Sequence, residues 1–148
     1  MQQFSIKQVE QLSGIKAHTL RIWEKRYGLI MPGRSEGKQR LYSNEDLRSI
    51  LRVVYLYHKG HRISSIARLG EADIVSKIDI DTGTGTSSNL LMLRLLEACI
   101  ALDEQGFKKT LDVACGNADL ETVVLDIIYP FLELIGKAWV TSRIMPNN

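Results

Sequence analysis

The sequence has few cysteines and no long apolar run, and these absences exclude several classes of protein. Two cysteines among 148 residues are too few for a disulfide framework, and no Cys or His pair has the spacing of a zinc site. No apolar run reaches the ~18 to 20 residues that span a bilayer, and the N-terminus lacks the pattern of a secretion signal. The sequence therefore predicts a cytoplasmic protein with no membrane segment and no metal site.

Residue patterns typical of catalysis are also missing. We find no Ser-His-Asp set, no phosphate-binding glycine loop and no converging pair of carboxylates, so no catalytic residue is assigned and no enzyme activity is expected. Hydrophobic residues make up 45% of the chain and charged residues 24%, which is the ordinary balance of a folded protein. This balance excludes wholesale disorder.

The modest net charge of +2 hides a strong asymmetry along the chain. Residues 1–70 contain thirteen Lys and Arg against five acids, a balance of +8, whereas residues 71–148 contain six against twelve, a balance of −6. Such asymmetry indicates a nucleic-acid-binding module joined to a region with a different role.

A segment of low complexity separates the two regions. Residues 71–88 end in a run of Gly, Thr and Ser, a composition that cannot build a packed face and that predicts a flexible linker. The predicted organisation is a domain over residues 1–70, this linker, and a second domain over residues 89–148.

Capping signals and helical periodicity in the first domain predict a helix-turn-helix. Ser5 and Gln8 have the spacing of a capping box, and Gly14 can adopt the left-handed conformation that ends a helix. A second helix over residues 16–27 has an apolar face that includes Trp23 and a basic outer face. Two short helices joined by a glycine turn, the second basic on its outer face, are typical of DNA-binding modules.

A basic hairpin is predicted after these two helices. Turn residues separate the stretches 29–31 and 40–42, which we expect to pair as a wing. A second capping box at Ser43 opens a third helix with a long apolar stripe, and a short fourth helix over residues 63–69 completes the domain. The first domain is therefore predicted to be a winged helix whose wing contacts DNA phosphates or the minor groove.

These motifs resemble the DNA-binding domain of MerR-type transcriptional regulators. The resemblance covers residues 4–69 and rests on Thr-Leu-Arg-Ile-Trp-Glu-Lys-Arg-Tyr-Gly at 19–28, Arg-Leu-Tyr at 40–42 and Glu-Asp-Leu at 45–47. The Trp-Glu-Lys-Arg-Tyr-Gly form is most similar to the branch that includes cobalamin-dependent, light-responsive repressors.

The resemblance implies a DNA-binding surface made by the second helix, in the major groove, and by the wing. The residues it implicates are Lys16, His18, Thr19, Arg21, Ile22, Lys25, Arg26, Arg34, Lys38, Gln39, Arg40 and Tyr42. Trp23 and Tyr27 are expected in the core instead. Gln39 departs from the family branch, which often has His there, and Arg62 stands where Ser often caps the fourth helix.

Residues 89–148 predict three helices, so the fold class is mainly α, a winged helix-turn-helix followed by a small helical bundle. Asp103 and Asp119 are expected to cap the second and third of these helices, and Pro130 to disturb the third. Cys99 and Cys115 are predicted to be small core residues on apolar faces.

The bundle resembles the helical cap that precedes cobalamin-binding domains in methyltransferases and in the light-responsive MerR branch. The resemblance rests on Leu-Leu-Glu-Ala at 95–98, on Asp103 and on the stretch from Tyr-Pro at 129–130 to Trp139. It implies that the chain is an N-terminal fragment, that the fragment itself binds no cofactor, and that Trp139 would contact cobalamin only in a longer chain. The alternative is that Trp139 is the last core residue of the bundle.

The predicted function is a sequence-specific DNA-binding transcriptional regulator, with a bundle that senses a small-molecule effector or assembles an oligomer. The implied partner is a double-stranded, palindromic operator, which requires two copies of the chain. The alternative is a helical cap module of an enzyme-associated corrinoid protein. The charge split discriminates between them, because a methyl carrier has no need of a winged helix with a charge of +8.

Overall fold

The computed structural model describes residues 3–81 and 88–144, and the side chains at 81, 117 and 139–144 lie outside this description. The described part contains short β-strands and nine α-helices. In chain order they are β1 (Gln3–Phe4), α1 (Ile6–Ser13), α2 (Ala17–Tyr27), β2 (Gly33–Arg34), β3 (Arg40–Ser43), α3 (Asn44–His58), α4 (Ile63–Ala67), α5 (Glu71–Asp81), α6 (Ser88–Ile100), α7 (Glu104–Asn117), α8 (Leu120–Val123), a π-helical turn (Val124–Ile128) and α9 (Tyr129–Ile144).

Both predicted capping boxes are confirmed. The Ser5 hydroxyl accepts from the Gln8 amide at 3.2 Å, while the Gln8 side chain accepts from the Ser5 amide at 2.9 Å. The same reciprocal pair forms between Ser43 and Asp46 at the start of α3. Gly14 ends α1 with a φ of 75°, as its position predicted.

The three strands form an antiparallel sheet in the order β1-β3-β2, and it differs from the predicted hairpin. β2 pairs with β3 through Gly33 opposite Leu41 and Arg34 opposite Arg40, so the prediction that residues 29–31 form the outer strand is wrong. Residues Leu29 and Ile30 pack against the core instead.

The predicted linker is wrong over most of its length, because residues 71–81 form α5. Ile78 on this helix is buried, and α5 packs on α3. The Gly, Thr and Ser run that suggested a linker covers residues 82–88, of which 82–87 lie outside the described residues and Ser88 begins α6. The flanking domain limits, 1–70 and 89–148, stay predictions.

A single hydrophobic core joins the two predicted domains. α9 packs on α1, and α6 packs on α3, so the bundle lies directly against the winged helix. Because α6 also contacts α7 and α9, it is buried around most of its circumference rather than on one face. Its buried residues are Leu90, Leu91, Leu93, Leu95, Leu96, Ala98 and Ile100.

The prediction that both cysteines belong to the core is wrong. Cys99 and Cys115 are exposed, and Leu102, expected on the same apolar face as Cys99, is 87% exposed. Cys99 and Cys115 lie on faces of α6 and α7 that helix packing leaves exposed, and Leu102 follows the end of α6 at Ile100 in a left-handed conformation with a φ of 55°.

The ends of the bundle helices follow the sequence signals. Asp103 accepts from the Gly106 amide at 3.0 Å, and Asp119 accepts from the Thr122 amide at 3.2 Å. Hydrogen bonds from Thr122 lower the pKa of Asp119. The disturbance expected at Pro130 takes the form of a π-helical turn just before it, which fits the missing N–H of proline.

Candidate nucleic-acid interface

The helix α2 is held against the core by one face and presents the other to solvent. Leu20 and Trp23 are buried, and the Trp23 ring meets Tyr57 of α3 edge to face, with 5.3 Å between ring centroids. Tyr27 is half-buried against the same core. The prediction that both aromatic residues of α2 are structural is confirmed.

The outer face of α2 carries the predicted DNA-contacting cations. His18, Arg21 and Lys25 are exposed on one side of the helix, since positions i, i+3 and i+7 lie together. The guanidinium of Arg26 lies 5.7 Å from the Tyr27 ring centroid, a distance that suits a cation–π contact and fixes its direction. Lys16 is exposed before the first turn, and the half-buried Thr19 and Ile22 lie among these residues.

The wing is a short hairpin whose tip is polar and exposed. The Ser35 amide donates to the Gln39 carbonyl at 2.9 Å, and the Lys38 amide donates to the Ser35 carbonyl at 2.9 Å. Lys38 has a φ of 61°, the left-handed conformation that such a turn requires before the strand resumes. Lys38 and Gln39 are therefore presented together at the tip.

Glu24 links α2 to the wing. Its carboxylate accepts from the Arg40 Nε at 2.7 Å and from an Arg34 terminal nitrogen at 3.3 Å. The Glu24 and Arg40 side chains are mostly buried, whereas the Arg34 side chain is more exposed. The two wing arginines are thus oriented by a carboxylate on α2.

Glu24 was not among the residues predicted to form the DNA-binding surface. A usable signal was present, because Glu24 is one of only five acids in residues 1–70 and lies on a helix with a basic face. An isolated acid in a basic domain is often the partner that positions a particular arginine.

The prediction that Tyr42 contacts DNA is wrong, since Tyr42 is 2% exposed and is part of the core beneath the wing. Burial raises the pKa of its phenol, and the charge of Glu24 raises it further. The arginines Arg40, Arg34 and Arg21 oppose this shift, so all three guanidinium groups lie near the same phenol. The fold therefore brings the α2 cation Arg21 and the two wing arginines into one neighbourhood.

The described residues contain no cluster of metal ligands and no membrane-spanning helix. No group of three or more His, Cys, Asp or Glu side chains in residues 3–80 and 88–138 could hold a metal ion. Within the ranges that the structure describes, no helix combines the length and hydrophobicity that a bilayer crossing requires. The prediction for Trp139 concerns a side chain outside the described residues.

The fold and this surface define a winged helix-turn-helix domain of the DNA-binding type. Residues 4–72 match the family described as MerR HTH family regulatory protein, and these residues contain the helix-turn-helix and the wing described above. The resemblance noted for residues 4–69 is thereby confirmed.

Curated transcriptional regulators are similar to part of this chain. The chain is 44% identical over 52 residues to the HTH-type transcriptional repressor CarA of Myxococcus xanthus, a match over 34% of this chain and 18% of CarA. It is 28% identical over 92 residues to the HTH-type transcriptional regulator MlrA of Escherichia coli (strain K12), over 62% of this chain and 37% of MlrA. It is 30% identical over 66 residues to the HTH-type transcriptional repressor CarH of Myxococcus xanthus, over 45% of this chain and 22% of CarH.

These matches span well under two thirds of each relative. The names of all three describe transcriptional regulators rather than enzymes. The family match covers residues 4–72, whereas the 92-residue match to MlrA of Escherichia coli is longer than that domain.

Proposed function

We propose that this chain is a sequence-specific DNA-binding transcriptional regulator. The observation that carries the proposal is the pair of hydrogen bonds from Arg40 and Arg34 to Glu24, at 2.7 and 3.3 Å. Through them the wing and α2 are held in one orientation before DNA arrives. A surface ordered in advance loses less entropy on binding, which supports tight and specific recognition.

The residues divide into those that read bases and those that position the protein. Arg21 projects from the outer face of α2, where its planar fork would grip two acceptors of a guanine in the major groove. Lys25 and Lys38 supply point charges for backbone phosphates. Arg40 uses its Nε on Glu24 and keeps its terminal nitrogens as donors for the backbone beside the wing.

The proposed partner is a palindromic double-stranded operator bound by two copies of the chain in the cytoplasm. Half-sites of a palindrome are related by a two-fold axis, and a pair of winged helices satisfies that symmetry. The bundle, packed directly on α1 and α3, is placed to sense a ligand or to assemble the pair. A role for Trp139 in contacting cobalamin stays a prediction for a longer chain.

The proposal is tested by selecting duplexes from a randomised pool with the full chain and measuring affinity by fluorescence anisotropy. Arg21→Ala should weaken binding to the selected site about tenfold or more, because a bidentate base contact contributes roughly 1 to 3 kcal/mol of discrimination. It should also relax the preference at one base pair. Lys109→Ala on α7 removes the same charge from an exposed site of the bundle and should leave affinity nearly unchanged. Failure to enrich any sequence, or full affinity in Arg21→Ala, would contradict the proposal.

The role of Glu24 is tested with a charge-matched pair of variants. Glu24→Gln releases the wing arginines, so we expect the ratio of specific to non-specific affinity to fall about threefold to tenfold. Glu36→Gln removes one negative charge from the exposed turn of the wing and should raise both affinities alike. Equal behaviour of the two variants would show that Glu24 acts only through its charge.

A further inference from the structure

A cavity of about 370 Å³ lies where the winged helix meets the bundle. Its walls come from α1, α3, α6 and α9, the helices that join the two regions. The lining residues are Leu12, Ser13, Gly14, Leu51, Val54, Tyr55, His58, Lys59, Asn89, Met92, Leu93, Leu96 and Leu134. A volume of this size lies in the range of small-molecule sites.

The chemistry of the lining is uneven. Leucine, valine and methionine side chains form the larger part of the wall, whereas Ser13, His58, Lys59 and Asn89 supply the polar part. Among the described residues no Asp or Glu lines the cavity, although the bundle region as a whole is acidic. The ammonium of Lys59 lies 5.6 Å from the Tyr55 ring centroid, so a cation stands at one end of an apolar chamber.

We propose that this cavity binds a small amphipathic anion, an apolar body with one carboxylate or sulfonate-like group. The apolar body would lie against Leu51, Leu93 and Leu96, where burial is favourable by roughly 25 cal/mol per Å² of apolar area. The anionic group would lie beside Lys59, with the Asn89 amide as a further donor. An anion is favoured over a cation because the lining offers Lys59 and no opposing carboxylate.

The position of the cavity connects such a ligand to the DNA-binding surface. Ser13 and Gly14 form the turn between α1 and α2, and the Ser13 hydroxyl accepts from the Ile15 amide at 3.2 Å. A ligand in the cavity would contact this turn from one side and Leu134 of α9 from the other. This inference rests on the proposed function only where it connects the ligand to DNA binding, and ligand binding itself is measured without DNA.

The test uses two fluorescent probes that differ in one charged group. The anion 8-anilinonaphthalene-1-sulfonate and the neutral N-phenyl-1-naphthylamine are titrated against the full chain. Lys59→Gln should weaken the sulfonate probe about fivefold and leave the neutral probe unchanged, because only the sulfonate interacts with the ammonium. Lys109→Gln, an exposed lysine on α7 outside the cavity, should change neither.

A second pair of variants tests whether the cavity itself is occupied. Met92→Trp fills the chamber from α6 and should abolish saturable binding of both probes. Asn89→Trp obstructs it from an exposed position and should do the same if Met92→Trp fails to fold. The proposal would be overturned if probe binding survived both substitutions. It would also be overturned if Lys59→Gln changed the affinities of the anionic and the neutral probe by the same factor. Intact DNA binding with no probe binding would contradict this inference alone, and the reverse result would contradict the proposed function alone.

Discussion

The winged helix and the helical bundle differ in what they leave on the surface. In the described part of residues 1–70 the large exposed apolar side chains are Met31 and Tyr57, and the charge balance of residues 1–70 is +8. In the described part of residues 71–148 the charge is reversed and the exposed apolar set is larger, with Ile80, Leu102, Val113, Leu120, Leu125, Tyr129 and Leu132. The first region buries its apolar residues within the chain and offers charge, whereas the second offers the kind of surface on which proteins associate.

The two regions nevertheless share a hydrophobic core. The substitution Leu95→Ala tests this and has the largest expected effect on the free energy of unfolding. Leu95 is 1% exposed on α6, and its truncation should lower the free energy of unfolding by about 3 kcal/mol. In a Trp139→Phe background, Trp23 fluorescence reports the winged helix and far-ultraviolet circular dichroism reports all helices. We expect a single unfolding transition, and Leu95→Ala should shift it by the same amount whether it is measured by fluorescence or by circular dichroism.

The matched control is Leu132→Ala, an exposed leucine on α9 that should change stability by under about 0.5 kcal/mol. A Trp23 transition that stays in place while the dichroism shifts would mean that the regions unfold independently.

A smaller effect is expected at the ion pair that connects the regions. The Arg52 Nε of α3 donates to Glu97 of α6 at 2.6 Å, with side chains only 16% and 12% exposed. Arg52→Met leaves Glu97 without this partner and should cost about 2 kcal/mol in urea unfolding. The double variant with Glu97→Leu should recover part of that loss, because it removes a carboxylate that has lost its short hydrogen bond and keeps only the longer contact of 3.8 Å with Arg94 among those described.

The exposed pair of Lys108 and Glu104, at 3.8 Å on α7, is the reference. Its double-mutant cycle should give a coupling energy under about 0.5 kcal/mol, since solvent screens it. Coupling energies of equal size in the two cycles would contradict a special role for the pair between regions.

Substitutions near the ends of two helices should change the stability in opposite directions. Gly14 ends α1, and Leu102 lies two residues beyond the end of α6; both are in the left-handed conformation, but only glycine adopts it without strain. Leu102→Gly should therefore stabilise the chain by about 1 kcal/mol, and Gly14→Ala should destabilise it by about the same amount. Thermal unfolding measures both, and a loss of stability in Leu102→Gly would refute the strain argument.

The smallest effect is expected at the tip of the wing. Lys38→Gln removes the charge and keeps a side chain of similar length in an exposed turn with little buried surface, so stability should change by under about 0.5 kcal/mol. The slope of log affinity against log salt for DNA should nevertheless fall by about 1, because one phosphate contact is lost. An unchanged slope would show that Lys38 does not contact a DNA phosphate.

Particular residues show why some features could be predicted from the sequence and others could not. Ser5, Gly14 and Ser43 act through local hydrogen bonds and backbone conformation, so their roles could be deduced from neighbouring residues. Cys99 and Tyr42 depend on distant contacts, since the burial of each is decided by how α6 and the sheet pack. Glu24 lay between these cases, as its partners are on a hairpin whose register the sequence did not specify.

The helix α5 and the contact of α9 with α1 have a consequence for dividing the chain. A fragment cut after Gly70 would keep every residue of the wing and of α2 but would strip α5 from α3 and α9 from α1. The uncovered leucine and valine side chains would then face water, so such a fragment would be prone to self-association despite its high positive charge. The DNA-binding surface and the helices that cover its apolar core therefore form one folding unit in this chain.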